Sequence, residues 1–462
     1  MDVDVAVIGG GPAGYTAAIR AAQLGGRVAC IEQEPALGGT CLRVGCIPTK
    51  AWVQTAHAYH DAQETFAKLG VRVEQPALDF GTAVQWKDAV VDQMTGGVGM
   101  LFKANGVEWV QGTGRFTGPN TIAVEGKDDV TFRSAIVATG SFAVRPPVPG
   151  LDSPRCVDST GLLAQTEVPR RLVVLGGGII GCEFASIFER FGTEVTIVEM
   201  LPTLIPAEDE DAAKELEKAF RKRGIAMHLS KQCTQVDDHG DHLTVHFGEG
   251  ETVDCDLMLV SVGRAALVEG VGLEAAGVEF DRARIATDDR RRTNVPHIYA
   301  AGDVAGYWQL AHTGFREGEV AAENAMGHDS SFGEPAVPRP IYTDPEIAGA
   351  GLTEAQAREL HGDAVVVGRC PWVAIARAVM SGDTTGWIKT IHESQYGQLL
   401  GIVIVGPHAT DLIGEAVVAL DAESTIETIA DGVAPHPTFA EGIKEAGLVA
   451  LGRAIHLPPR RR

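Results

Sequence analysis

Two glycine turns of one design, the first at the start of the chain and the second near its middle, constrain this sequence more than any other feature. The first reads Gly9-Gly10-Gly11-Pro12-Ala13-Gly14 and the second Gly176-Gly177-Gly178-Ile179-Ile180-Gly181. Each follows a short apolar run, Asp4–Ile8 or Leu172–Leu175, and precedes a helical stretch, Tyr15–Leu24 or Cys182–Phe191. Each helical stretch leads to another apolar run, Arg27–Ile31 or Glu194–Val198, closed by an acid. Glu32 follows Gly9 by 23 positions, and Glu199 follows Gly176 by the same 23. Strand, glycine turn, helix, strand and acid in this order open a nucleotide-binding βαβ unit. Glycine permits the tight turn and lets backbone N–H groups approach a pyrophosphate at the helix N-terminus, while the acid accepts ribose hydroxyls. Gly9, Gly11, Gly14 and Glu32, and Gly176, Gly178, Gly181 and Glu199, are thus candidate cofactor residues. A repeat of equal spacing and equal chemistry predicts two dinucleotide-binding domains.

Glu199 also bears on which dinucleotide the second unit takes. A carboxylate there repels a 2′-phosphate, and Met200-Leu201-Pro202 offers no cation to clasp one, so NAD is expected over NADP.

At 462 residues the chain exceeds one ordinary core, and about two to four domains are expected. Residues 51–103 read as helical, with amphipathic stretches at Ala51–Phe66 and Val84–Phe102, and 107–141 as short strands. The Pro-rich run Arg145–Gly150 marks a boundary before the second unit. A charged helix within 205–223 and strands across 225–263 follow. From Arg339 onward a separate α+β domain is expected, with strands near 341–350, 365–372, 386–392 and 398–405, then helices to the end.

With 39 Lys+Arg against 61 Asp+Glu, the net charge of -22 argues against a nucleic-acid or anionic-membrane surface and fits a soluble protein and a basic partner. The end, Leu457-Pro-Pro-Arg-Arg-Arg462, reads as a frayed tail. No stretch approaches the roughly 18 apolar residues of a membrane span, and no targeting segment is visible, so a cytoplasmic protein is expected. Most of the 8 cysteines then read as buried thiols.

One pair breaks that expectation: Gly38-Gly39-Thr40-Cys41-Leu42-Arg43-Val44-Gly45-Cys46-Ile47-Pro48-Thr49-Lys50. Two cysteines separated by four residues, just past a nucleotide-binding unit, suit a redox dithiol at a distorted helix start, where backbone N–H groups favour a thiolate. Two buried thiols or a zinc site are the alternatives. Zinc needs two further ligands at suitable spacing, and no second pair of the CxxC kind exists, so no metal is expected.

This segment resembles the active-site stretch of the FAD-dependent disulfide reductases, and among them that of the dihydrolipoamide dehydrogenases. The resemblance spans nearly the whole chain. It continues through Ile136-Val-Ala-Thr-Gly-Ser141, Ile298-Tyr-Ala-Ala-Gly-Asp-Val304, Leu310-Ala-His312, Ile341-Tyr-Thr-Asp-Pro-Glu346 and His436-Pro-Thr-Phe-Ala-Glu441. It implies an α/β fold of two Rossmann-like domains, for FAD and NAD, plus a C-terminal α+β dimerisation domain. The expected bounds are 1–145 for the first part of the FAD domain, 146–270 for the NAD domain, 271–338 for a central segment completing the FAD domain, and 339–462 for the interface domain. Because both turns share one local chemistry, assigning FAD to the first rests on the family's order.

The resemblance also implies roles. Cys41 exchanges with the substrate thiol, and Cys46 lies against the flavin as a charge-transfer thiolate. Lys50 sits near the flavin N5 edge and pairs with Glu183. Asp303 binds the ribityl chain; Thr139, Gly140, Gly263, Leu310, Ala311 and His312 complete the cofactor set. His436 is the general base, oriented by Glu441, with a cis bond to Pro437, and it reaches the cysteines of the other subunit of a homodimer. Chemically this is sound: a thiol must lose a proton before attacking a disulfide, and a carboxylate can fix the tautomer of the imidazole that takes it. The implied partner is the lipoyl-bearing acyltransferase of a 2-oxo acid dehydrogenase complex.

Four positions depart from the family's usual pattern. Ala434 stands where many relatives carry a further histidine, Arg43 where asparagine is common, Thr49 where serine is common, and Asp344 where histidine is common. The rival readings are a reductase of another disulfide such as glutathione, trypanothione or mycothiol, a quinone diaphorase, or a structural subunit with little turnover. Glu199 opposes the NADP-dependent rivals, the tail lacks the vicinal cysteines of a mercuric reductase, and intact Cys41, Cys46 and His436 oppose the last two.

Overall fold

The repeated turn decides the architecture. In the computed structural model, which describes residues 1–333 and 336–458, strand Asp2–Ile8 runs into helix Pro12–Gln23 and strand Arg171–Leu175 into helix Ile179–Arg190. Gly11 and Gly178, which cap these helices, share φ -74° and ψ -174°. Gly9 and Gly176 open the turns at φ 103° and 107°, a region that strains any residue with a side chain. A Cβ on Gly14 would lie 1.8 Å from the Gly9 carbonyl oxygen, and one on Gly181 2.0 Å from that of Gly176. The last glycine of each turn therefore lies inside its helix, so the helices begin at Pro12 and Ile179 rather than at Tyr15 and Cys182. Proline suits the first helical position because its missing N–H has no intrahelical partner there.

The first sheet runs in the order Glu108–Gln111, Val28–Glu32, Asp2–Ile8, Val130–Val137, Thr121–Val124, Gly114–Gly118, and its core pairs are parallel. Ile298–Ala300 pairs parallel with Val130–Val137, so the chain re-enters this sheet after building the second. The second sheet is parallel throughout, in the order Ala226–His228, Glu194–Val198, Arg171–Leu175, Leu257–Val260, Cys156–Val157. A three-stranded antiparallel sheet, Cys233–Asp238, Leu243–Phe247 and Glu251–Cys255, accompanies it. The crossing between the two dinucleotide-type units is tied by a short antiparallel pair, Ser141–Ala143 with Arg264–Ala266. Beyond residue 338 a five-stranded antiparallel sheet carries helices Ala409–Asp421 and Glu441–Ala450. The fold is α/β, two Rossmann-like units followed by a C-terminal α+β unit.

Two packing contacts position the site. Helix Pro12–Gln23 lies against helix Ala311–Ala325 so closely that a Cβ on Gly318 would stand 2.3 Å from the Ala13 carbonyl oxygen. Helix Cys46–His60 is held against helix Ile179–Arg190 by Trp52, fully buried and edge-on to Phe188 at 5.9 Å and to Phe191 at 6.3 Å. Truncating such a ring costs about 3–5 kcal/mol. The helical reading of 51–66 changes in detail, because helix Cys46–His60 gives way to a π-helical turn at Asp61–Thr65. Among the described residues no helix is long and apolar enough to cross a membrane. The basic end Arg460–Arg462, read as a frayed tail, lies outside the described residues.

Candidate active site

Cys41 lies in the six-residue helix Gly39–Val44, and Cys46 is the first residue of helix Cys46–His60. Gly45 makes the break between them, at φ -142° and ψ -111°, and a Cβ there would meet the Thr40 carbonyl oxygen at 2.7 Å. A side chain at 45 would force the turn between the two cysteines to shift. Both are thiols in this structure, and Cys41 hydrogen-bonds to Cys46. That bond, helped by the Lys50 charge, brings Cys46 down to about 7. Cys41 is pushed up, because its proton is held by Cys46 and burial disfavours a second thiolate. The start of a helix adds its own preference for an anion at Cys46.

Lys50 follows Cys46 by four positions, on the same helical face. Its Nζ donates to Glu183 Oε2 at 2.7 Å and stands 4.6 Å from the centre of the Tyr342 ring. Glu183 is buried, and its Oε1 accepts the Tyr342 N–H at 3.0 Å. Burial pulls Lys50 down, but Glu183 and Cys46 outweigh it and hold the ammonium above its ordinary range. A thiol pair, a cation and a buried carboxylate thus meet where the first unit touches the second.

The two dinucleotide sites are near copies. Glu32 is buried and accepts N–H groups from Gly10 at 2.6 Å and Glu34 at 2.9 Å. Glu199 is buried and accepts those of Gly177 at 2.5 Å and Leu201 at 2.6 Å. Each carboxylate has about four lone-pair sites, which leaves capacity for ribose hydroxyls. Neither helix Pro12–Gln23 nor helix Ile179–Arg190 has a side-chain cap on its first N–H groups, and a Cβ on Gly178 would enter open space. Uncapped donors at two glycine-lined helix ends fit the pyrophosphates of FAD and NAD.

Of the remaining predicted cofactor residues, Thr139, Gly140, Gly263 and Asp303 meet at the crossing between units, whereas Leu310, Ala311 and His312 stand at the start of helix Ala311–Ala325. Thr139 Oγ1 donates to the Leu267 carbonyl at 2.7 Å, and Gly140 and Gly263 adopt φ 76° and 125°. Ser141 donates to the Asp303 carboxylate and accepts from Arg264 Nε at 2.8 Å. The turn before Asp303 is held by Glu317, which accepts the Gly302 N–H at 2.6 Å and is pushed up to about 7 by burial. Leu310 caps helix Ala311–Ala325, again without a side-chain cap, and His312 Nε2 meets the Pro338 carbonyl at 2.8 Å. Burial pulls His312 below its ordinary range.

His436 and Glu441 form a separate cluster. The His436–Pro437 bond is cis, and His436 Nδ1 lies 2.8 Å from Glu441 Oε1. Glu441 Oε2 accepts the Thr438 N–H at 2.8 Å. Partial burial raises this carboxyl, but the His436 and Thr438 hydrogen bonds win and lower it. The His436 side chain is 72% exposed, and no hydrogen bond among the described residues joins it to Cys41 or Cys46 within the chain.

The departures have visible surroundings. Arg43 pairs with Glu34 at 2.7 Å, Thr49 is buried, Ala434 is half-buried, and Asp344 pairs with Arg190 at 2.5 Å. Among the described residues no group of three or more His, Cys, Asp or Glu could hold a metal ion. Sequence reasoning assigned no role to Tyr342, Arg264 or Glu317. Glu317 meets Gly302 fifteen residues before it across a turn, a meeting that no sequence periodicity signals. Tyr342 and Arg264 had no signal either, since each meets its partner across units.

Residues 3–318 match the family model described as pyridine nucleotide-disulphide oxidoreductase, and 337–447 match that family's dimerisation domain. The mitochondrial dihydrolipoyl dehydrogenase of Pisum sativum is 40% identical, covering 98% of this chain and 92% of that one. The dihydrolipoyl dehydrogenase of Haloferax volcanii is 41% identical, covering 98% and 97%, and one from Bacillus subtilis is 39% identical, covering 98% and 99%. Among solved structures, the HOCl-induced flavoprotein disulfide reductase RclA from Escherichia coli superposes with a TM-score of 0.87 at 30% identity, covering 95% of this chain and 98% of that one.

Proposed function

The chain belongs to the pyridine nucleotide-disulphide oxidoreductase family, and we propose that it is a dihydrolipoamide dehydrogenase working through Cys41 and Cys46. It oxidises dihydrolipoyl groups and reduces NAD. The observation that carries this reading is the Cys41–Cys46 thiol pair at a helix start, backed by Lys50 and Glu183, in a chain similar end to end to dihydrolipoyl dehydrogenases. FAD, held by the first turn and Asp303, supplies when bound the two-electron carrier between dithiol and NAD.

The chain's own groups divide the work. With Nδ1–H donated to Glu441, His436 keeps the Nε2 lone pair free to take the proton of a substrate thiol. The resulting thiolate attacks Cys41 of the oxidised pair, the Cys41–Cys46 bond breaks, and Cys46 leaves as a thiolate. The second substrate thiol then displaces Cys41, releasing oxidised lipoyl and leaving the dithiol. Lys50, with Glu183 behind it, stabilises the charge on Cys46. Glu199 selects NAD at the second turn. His436 is exposed and, among the described residues, makes no hydrogen bond to the cysteines of its own chain, which supports a homodimer in which each subunit supplies the other's base. A lipoyl-bearing acyltransferase is the proposed partner. The cytoplasm is the proposed compartment, where thiols such as the dihydrolipoyl pair are kept reduced.

Steady-state NADH formation from NAD and dihydrolipoamide tests the proposal, with NADP, glutathione and a mycothiol analogue in parallel. Turnover confined to dihydrolipoamide and NAD is expected. Turnover on another disulfide moves the substrate, and none on any leaves a structural subunit.

A further inference from the structure

The segment Ile341–Glu346 belongs to the C-terminal unit, yet Tyr342 brings it to the redox centre. Its seat is helix Ile179–Arg190. Two backbone N–H groups two residues apart donate to two side chains three residues apart: Tyr342 to Glu183 Oε1 at 3.0 Å and Asp344 to Ser186 Oγ at 3.0 Å. The Asp344 carboxylate then takes Arg190 through Nη2 at 2.5 Å and Nε at 3.1 Å, with Arg223 Nη1 at 3.6 Å. Arg223 also donates to the Asp344 carbonyl at 2.7 Å, to the Ser186 carbonyl at 2.8 Å, and to Glu189. Arg190 further meets His60 Nδ1 at 3.0 Å, at the far end of the helix that Cys46 begins. Both guanidinium groups are largely buried.

We propose that Asp344 is a positioning residue for the Cys46 thiolate: its clamp on Arg190 and Arg223 holds Tyr342 against Lys50 and Glu183, and so fixes the cation beside Cys46. This rests on reading Cys41 and Cys46 as the redox dithiol. The link is short. Tyr342 touches both members of the Lys50–Glu183 pair, the ring beneath Nζ and the N–H on Oε1. Without a carboxylate at 344, two neighbouring buried guanidinium groups lose an anion they share, and the segment that carried it is pushed off the helix. The Tyr342 N–H then leaves Glu183, which is free to turn away and take Lys50 with it. The ionisable groups facing Cys46 are Cys41 from helix Gly39–Val44, Lys50 from its own helix and Glu183 from helix Ile179–Arg190. Those facing Asp344 are Arg190, Arg223 and His57, with His60 and Glu189 held through the arginines. None of the groups around Asp344 faces Cys46, so an effect on the thiol travels through a neighbour; Tyr342, which touches both Lys50 and Glu183, is the short route, and the Arg190–His60 contact at the far end of the Cys46 helix is the long one.

The test uses the dimeric, FAD-loaded protein reduced at its dithiol. The pH at which the Cys46 thiolate forms is followed by the long-wavelength absorbance of a thiolate beside a flavin. Asp344→Asn is expected to raise that midpoint by about half a unit, about threefold less thiolate at a pH below it. Asp344→Glu, which keeps the charge, restores it. Tyr342→Leu moves the midpoint the same way, and Asp344→Asn adds nothing in that background, because both act on one link. If Asp344→Asn does not fold, Arg190→Gln loosens the clamp from its other side and the same shift is expected. An Asp344→Asn or Arg190→Gln protein that melts earlier but titrates like the parent overturns the proposal. A parent protein whose dithiol takes no electrons overturns the underlying redox reading, and this proposal with it.

Discussion

Lys50 Nζ and Glu183 Oε2 lie 2.7 Å apart across 133 residues of sequence, and they join the helix that Cys46 begins to the helix that opens the second dinucleotide unit. Glu183 is the buried partner and Lys50 the more open one, so the pair is partly screened. Replacing Glu183 by glutamine keeps the shape and removes the charge. Urea unfolding should show a loss of about 1–2 kcal/mol, below the ~3–5 of a fully buried broken pair. The kcat for NADH formation should fall about tenfold, with KM for dihydrolipoamide less affected. Unchanged stability and kcat would remove the pair from the site.

The thiols give a pH prediction with a definite sign. Cys46 is depressed to about 7, first by the Cys41 hydrogen bond and then by the Lys50 charge, so its thiolate appears as pH rises through that value. Iodoacetamide labelling of the reduced, flavin-free protein, mapped by peptide mass, should therefore climb at Cys46 through about pH 7. Lys50→Met removes a cation that favours the thiolate and should displace the climb to higher pH. A climb that stays in place would mean that Lys50 does not act on Cys46.

His436 and Glu441 divide base from orienter. His436→Gln should lower kcat with dihydrolipoamide by about 10²–10⁴-fold, the usual worth of a positioned base. Glu441→Gln keeps the imidazole but weakens its orientation, and a loss smaller than that of His436→Gln is expected. NADH oxidation by ferricyanide bypasses the substrate thiol and should be retained in both variants. Loss of that activity as well would point to a folding defect rather than a missing base.

How far the sequence alone reveals this site follows from the range of each interaction. The two turns were legible because everything that makes them, from Gly9 to Glu32 and from Gly176 to Glu199, is local and written twice. The Cys41–Cys46 spacing was legible for the same reason, although the break at Gly45 that lets the thiols meet shows only in the backbone. The helix starts were misplaced by three residues because a glycine inside a helix reads as a stop, whereas Gly14 and Gly181 are there to let the turn pack. Tyr342, Arg264 and the Asp344 clamp stayed hidden. Each meets its partner across 120 residues or more, and no periodicity encodes such a meeting.

The order of the cofactors can be settled by the turns themselves. Gly14 and Gly181 hold equivalent places, and a Cβ on either would collide with a carbonyl oxygen, at 1.8 Å and 2.0 Å. Alanine at either position should open its own turn and spoil only the dinucleotide bound there, since the turns lie in separate sheets. Gly14→Ala is therefore expected to yield protein largely without the yellow cofactor, read from flavin absorbance against protein absorbance after purification. Gly181→Ala should purify yellow, accept electrons from dihydrolipoamide within one turnover, and fail to make NADH. The opposite pattern, a colourless Gly181→Ala and a yellow Gly14→Ala, would exchange the two assignments. That would also move Glu199 from the NAD site to the flavin site and leave Glu32 to select the nicotinamide dinucleotide.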